Sequence, residues 1–136
     1  MQLTLIKNTD TSATLTYRIA RIVYAHTCAK SLPLVEAFSS MIQNMSNKSG
    51  VDILEIISDK NIFDALDSRS PRNSYMNVSA DNRGFQMCVR TVRRMLMGGL
   101  PDCCNGATQF HYCDVIPDWA VARGYIADID GVLFYL

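Results

Sequence analysis

Gly106-Ala-Thr-Gln-Phe-His-Tyr112 is the stretch whose reading decides the fold, together with Ile116-Pro-Asp-Trp-Ala120 and the closing Gly131-Val-Leu-Phe-Tyr135. A Gly-Ala pair entering an alternating Thr/Gln/Phe/His/Tyr run suits a short strand with one face on a core and the other lining a site. Two apolar runs follow, Tyr125 to Ile129 and Val132 to Tyr135, and Asp130-Gly131 between them is a strong hairpin signal. The last third of the chain therefore predicts a small antiparallel β platform.

The first two-thirds read as helices. Leu15, Ile19, Ile22 and Val23 recur at helical spacing after a polar lead, with an N-cap expected among Asp10 to Ser12. The same stripe reaches His26, so an imidazole is expected on the inward face near the helix end. Ser31-Leu-Pro33 starts a second helix with inner face Leu34, Ala37, Phe38, Met41, Ile42 and Met45, and Glu36 is expected to face water. Gly50 marks a turn, and Asp52 caps a short apolar helix that carries Glu55 on an exposed turn. Lys60 to Val78 is polar and predicts a surface loop with at most a helical turn at Ile62 to Leu66. Ser79 or Asp81 then caps a long helix whose inner face is Phe85, Cys88, Val89, Val92 and Leu96 and which ends at Gly98-Gly99. Arg83, Arg90 and Arg94 share a stripe on it, a face suited to an anionic or protein partner. Helices first and a hairpin-built sheet last predict one α+β domain over residues 1–136, with 1–11 as a flexible lead.

Composition narrows the function classes. Thirteen Lys+Arg balance thirteen Asp+Glu, so no bulk field draws the chain to nucleic acid or to an anionic membrane. No apolar run approaches the ~20 residues of a membrane span, and Met1 to Thr16 lacks the pattern of a secretory signal. The expectation is a cytoplasmic chain as written, acting at the cell envelope if exported. Five cysteines without a C-x-x-C fit reduced thiols better than a disulfide framework. Cys103, Cys104, His111 and Cys113 cluster, but adjacent cysteines do not match zinc-ligand spacing, so neither a metal nor a cofactor is expected.

The order of these motifs resembles the SleB-type cell wall hydrolases of bacteria, the spore-cortex-lytic enzymes among them. That family's C-terminal pattern reads roughly G-A-x-x-F/Y-H, P-x-W and I-G-x-x-x-F-Y, against Gly106, Ala107, Phe110, His111, Pro117, Trp119, Phe134 and Tyr135 here. Its N-terminal signature, near A-R-x-x-Y-G-E-A-R-G-E-S, aligns without gaps on Ala20-Arg-Ile-Val-Tyr24-Ala-His26-Thr-Cys-Ala-Lys30-Ser31, with Asn44 at the family's asparagine. The resemblance covers about residues 18 to 135. It implies a lysozyme-like fold and a hydrolase of peptidoglycan glycan strands, as glycosidase or lytic transglycosylase. It implies a groove between the first helix and the Gly106 strand, bound by Tyr24, Thr108, Phe110, His111 and Trp119, with two alternatives open: Trp119 as a core aromatic holding the β platform to the helices, and His111 hydrogen-bonded within the strand pair.

The chain departs from the pattern where the family carries its acid. His26 stands at the catalytic glutamate's position and Lys30 at the second acid's. Glycoside cleavage needs a proton on the leaving oxygen while positive charge develops on the sugar, a task suited to a half-buried carboxyl. Several readings of His26 compete: a disabled site in a pseudoenzyme that binds glycan or protein, a retuned acid helped by Asp64, Asp67 or Asp114, or a core histidine. A Cys28/His26 hydrolase is disfavoured, because residues two apart on a helix point to different sides.

Overall fold

The computed structural model describes residues 14–136, so the lead and the expected cap at Asp10 to Ser12 lie outside it. Helix α1 spans Leu15–Thr27, and Thr14 caps it, its hydroxyl accepting from the Tyr17 amide at 3.4 Å. The helix stops at Cys28, in the left-handed region with its amide on the Tyr24 carbonyl, and Ala29 is left-handed too. Helix α2, Leu32–Ser49, starts at Ser31 with Pro33 in its first turn and ends at left-handed Gly50. Its face Leu34, Ala37, Phe38, Met41 and Ile42 is fully buried, as the spacing predicts, whereas Met45, expected on the same face, is only partly buried. Helix α3, Ile53–Ile56, is capped by Asp52, whose carboxylate accepts from the Leu54 amide at 2.9 Å.

Lys60 to Val78 departs from the loop expectation. A 3₁₀ turn forms at Asp64–Leu66, and a seven-residue 3₁₀ helix spans Pro71–Asn77. Distant side chains hold this segment in place. The Arg21 guanidinium donates to the carbonyls of Met76 and Val78 at 2.9 Å each, and the Asn73 amide donates to the Ala65 carbonyl at 2.9 Å.

Helix α4, Arg83–Leu96, is capped by Asn82 in place of Ser79 or Asp81; its side chain accepts from the Phe85 amide at 2.9 Å. Phe85, Cys88, Val89 and Val92 are buried against α1 and α2 as expected, whereas Leu96, expected on the same face, is only partly buried in the last turn. Gly84 permits the crossing of α1 and α4, since a Cβ there would lie 2.9 Å from the Ala29 Cβ. Glu36 is half-buried and joins α2 to α4 through an ion pair with Arg94 at 3.3 Å.

Strands β1 (Gln109–Tyr112), β2 (Ala127–Ile129) and β3 (Val132–Tyr135) form an antiparallel sheet in the order β1-β3-β2. Asp130 and Gly131 both have positive φ, 52° and 82°, which gives the β2–β3 hairpin the twist its strands need. In β1, Phe110 pairs with Phe134 and His111 with Leu133. The β1 loop is fastened to α2 by Asn44, which donates to the Ala107 carbonyl at 3.1 Å and to Asp102 at 3.4 Å. Phe38, Phe63, Phe85 and Phe134 are fully buried and join the helices and the sheet in one core. Each such burial contributes about 1.5–3 kcal/mol. The chain is thus an α+β domain, and among the described residues no helix is long and apolar enough to cross a membrane.

Candidate functional site

His26 occupies the last turn of α1, on the face that continues Ile19, Ile22 and Val23 into the core, and is only 4% exposed. Its ring lies in a box of aromatics. It stacks on Phe38 at 5.5 Å and on Tyr112 at 6.2 Å, and meets Phe63 and Phe110 edge-on at 5.5 and 5.6 Å. The Tyr112 hydroxyl donates to the His26 carbonyl at 2.8 Å, so its lone pairs face Nδ1 of the same residue at 2.7 Å. Nδ1 must then carry the proton that completes the second bond. Nε2 is buried, has no hydrogen-bond partner among the described residues, and faces a carboxylate oxygen of Asp64 at 3.8 Å.

Burial is the main reason why the His26 pKa falls from its ordinary 6.5 to about 4; Asp64 opposes the fall and Arg72 adds to it. The imidazole is neutral at pH 7. Asp64 sits on the ridge above it, half-exposed, with its other oxygen accepting from Arg72 at 3.0 Å and from Ser70 at 3.3 Å. The Arg72 guanidinium lies 3.9 Å from the centre of the Tyr112 ring and covers it. Burial also raises the Tyr112 phenol. His26, Tyr112, Asp64 and Arg72 are therefore a closed set in which the group at the helix end accepts protons poorly and has none to give at Nε2.

Two concavities lie in succession along β1. Thr108, just before the strand, with Gln109 and Phe110 of its first half, lines a groove of about 920 Å³ together with Trp119, Arg123, Glu55 and Asp59. Tyr112 at the end of the strand, with Cys113 and Asp114 just beyond it, lines a cavity of about 400 Å³ with His26, Lys30, Arg72 and Asp130. Phe110 divides them: it lines the groove, and its ring packs on Phe38 at 4.9 Å and beside His26. Trp119 is 38% exposed and braced edge-on by His111 and Tyr135 at 5.8 and 5.1 Å. Arg123 is held over the Trp119 and Tyr135 rings, 5.5 and 5.7 Å from their centres. It donates to Gln109 and to the Leu136 carbonyl at 2.5 and 2.7 Å.

The structure thus brings Thr108, Phe110 and Trp119 together in the groove and puts His26 in the adjoining cavity. His111 stands apart from Phe110. Adjacent strand residues point to opposite faces, and the His111 ring is spent in the sheet, Nδ1 donating to the Tyr112 carbonyl and Nε2 accepting from the Tyr135 hydroxyl, both at 2.8 Å. Tyr24 turns toward α4, meeting Phe85 edge-on at 6.2 Å, and is not among the residues lining either concavity. Arg83 and Arg90 stay exposed on α4. Among the described residues no group of three or more His, Cys, Asp and Glu side chains is placed to hold a metal ion.

Sequence reasoning did not single out Tyr112 or Arg72. The period-two pattern of β1 was the available signal for Tyr112, which shares its face with Thr108 and Phe110. No local signal marked Arg72. In comparisons with known proteins, no family model, no curated protein and no solved structure matches the chain.

Proposed function

We propose that this chain is a SleB-type, lysozyme-like domain that holds peptidoglycan glycan strands in its groove without cutting them. The observation that carries the reading is the state of His26, at the position aligned with the family's catalytic acid. A general acid must hold a proton at working pH and present it to the leaving oxygen. His26 has a pKa near 4, its one proton faces Tyr112, and its other nitrogen is buried under Asp64. Lys30, aligned with the second family acid, lines the same cavity and adds a cation where the family carries a carboxylate.

The groove retains what binding requires. Trp119 offers a partly exposed indole fixed by two aromatic neighbours, the arrangement that lets a sugar ring stack at little entropic cost. Thr108, Gln109 and Asn61 supply hydrogen-bonding groups along the same walls. Under this reading the site of action is the cell envelope, where the glycan is.

Co-sedimentation with purified insoluble peptidoglycan tests the binding. The protein is expected in the pellet, and Trp119→Ala weakens that binding on the order of tenfold. Retention of Trp119→Ala at wild-type strength, or no binding by either protein, rejects the groove.

A further inference from the structure

The cavity beside His26 holds two opposite charges that are committed to nothing. Lys30 follows the left-handed pair Cys28-Ala29 that ends α1, Asp114 lies just beyond β1, and both line this cavity. Among the described residues neither forms an ion pair, and neither side chain makes a hydrogen bond. The remaining charges there are engaged: Arg72 with Asp64, and Asp130 as acceptor from Ser31. Lys30 and Asp114 face one space without reaching each other, so a ligand carrying both signs satisfies them at once. Tyr75 and Tyr112 add aromatic surface to the walls. About 400 Å³ lies within the roughly 300–1,000 Å³ of ordinary small-molecule sites.

We infer that this cavity is a receptor for a short zwitterionic peptide, with a carboxylate of the ligand on Lys30 and its free amine on Asp114. The inference rests on the proposed glycan groove for the source of that peptide. β1 runs from the groove into the cavity, and Phe110 and Tyr112 are only two residues apart, about 7 Å along a strand. A glycan strand lying beside Thr108 and Trp119 can therefore deliver a peptide branch to Lys30 and Asp114. The substitution of the family acid then has a binding consequence, since Lys30 receives a carboxylate that a second acid would repel.

Calorimetric titration with a synthetic stem tetrapeptide bearing carboxylates and one free amine tests this, alongside its N-acetylated form and a peptide-free oligosaccharide. The free tetrapeptide is expected to bind, and Lys30→Ala and Asp114→Asn each weaken it on the order of tenfold, the scale of one charge-assisted hydrogen bond. The acetylated peptide is expected to bind more weakly, to remain sensitive to Lys30→Ala and to ignore Asp114→Asn. Both substitutions are at exposed positions, so the fold is retained. The exposed thiols Cys28 and Cys113, which line the same cavity, give an independent readout: their alkylation is slowed by the free peptide. Indifference to both substitutions, or equal binding of the acetylated peptide, overturns the inference. Oligosaccharide binding that depends on Trp119 while the tetrapeptide fails rejects the receptor alone. Tetrapeptide binding without oligosaccharide binding rejects the glycan groove and leaves the receptor standing.

Discussion

A histidine that stays neutral in the core makes the fold sensitive to acid in a defined window. The unfolded chain takes up a proton at His26 near pH 6.5, whereas the folded chain does so only near pH 4. The folded pKa is the lower one, so the unfolded state binds more protons between these values. The stabilisation is fully present above pH 6.5 and is lost as pH falls through about 4. The fall from 6.5 to about 4 corresponds to about 3 kcal/mol in full, of which about 2 kcal/mol is gone by about pH 5. Urea unfolding of the wild type and of His26→Phe at about pH 7.5 and about pH 5 isolates this contribution. Phenylalanine suits the box of Phe38, Phe63 and Phe110 and does not titrate. The wild type is expected to lose about 2 kcal/mol more than the variant on acidification. Equal losses in the two proteins refute the buried neutral imidazole.

Other consequences follow from the same contacts. Tyr112→Phe removes the acceptor of His26 Nδ1 and the donor to the His26 carbonyl, and is expected to cost about 2 kcal/mol in chemical denaturation. It also changes the ring's ¹⁵N shifts, which a purely steric role for the hydroxyl leaves unmoved. Phe63→Ala opens the box above His26 and is expected to cost about 3–5 kcal/mol, read as a lowered thermal midpoint. Asn44→Ala unfastens the loop before β1 and is expected to cost about 1 kcal/mol, with faster amide exchange at Gly106 and Ala107 as its signature.

The parts of this fold that were legible in advance are those set by local chemistry. The Phe85, Cys88, Val89 and Val92 stripe, the Ser31-Leu-Pro33 start of α2 and the Asp130-Gly131 turn each depend on neighbours within a few residues. The 3₁₀ helix at Pro71–Asn77 depends instead on Arg21, more than fifty residues away, and no apolar period announces it. Competing caps explain the shift to Asn82: Ser79 and Asp81 bond to each other and leave Asn82 to receive the Phe85 amide. At the site, helical spacing was enough to put His26 inside. What it held there was not legible, because Tyr112 and Asp64 arrive from distant segments. Two placements violated simple geometry: Tyr24 is two helical positions from His26 and points elsewhere, and His111 adjoins Phe110 on a strand and faces the opposite side.

The account turns on glycan held but left intact. Purified peptidoglycan incubated with this protein at neutral pH, with mass spectrometry of the soluble fraction, tests that directly. The expected result is protein bound to the insoluble glycan with no reducing ends and no anhydro-sugars released, because the one proton of the neutral His26 ring is held against Tyr112. Release of either product by the wild-type protein, lost on Trp119→Ala, contradicts the account and assigns the chain a working acid outside the His26 position.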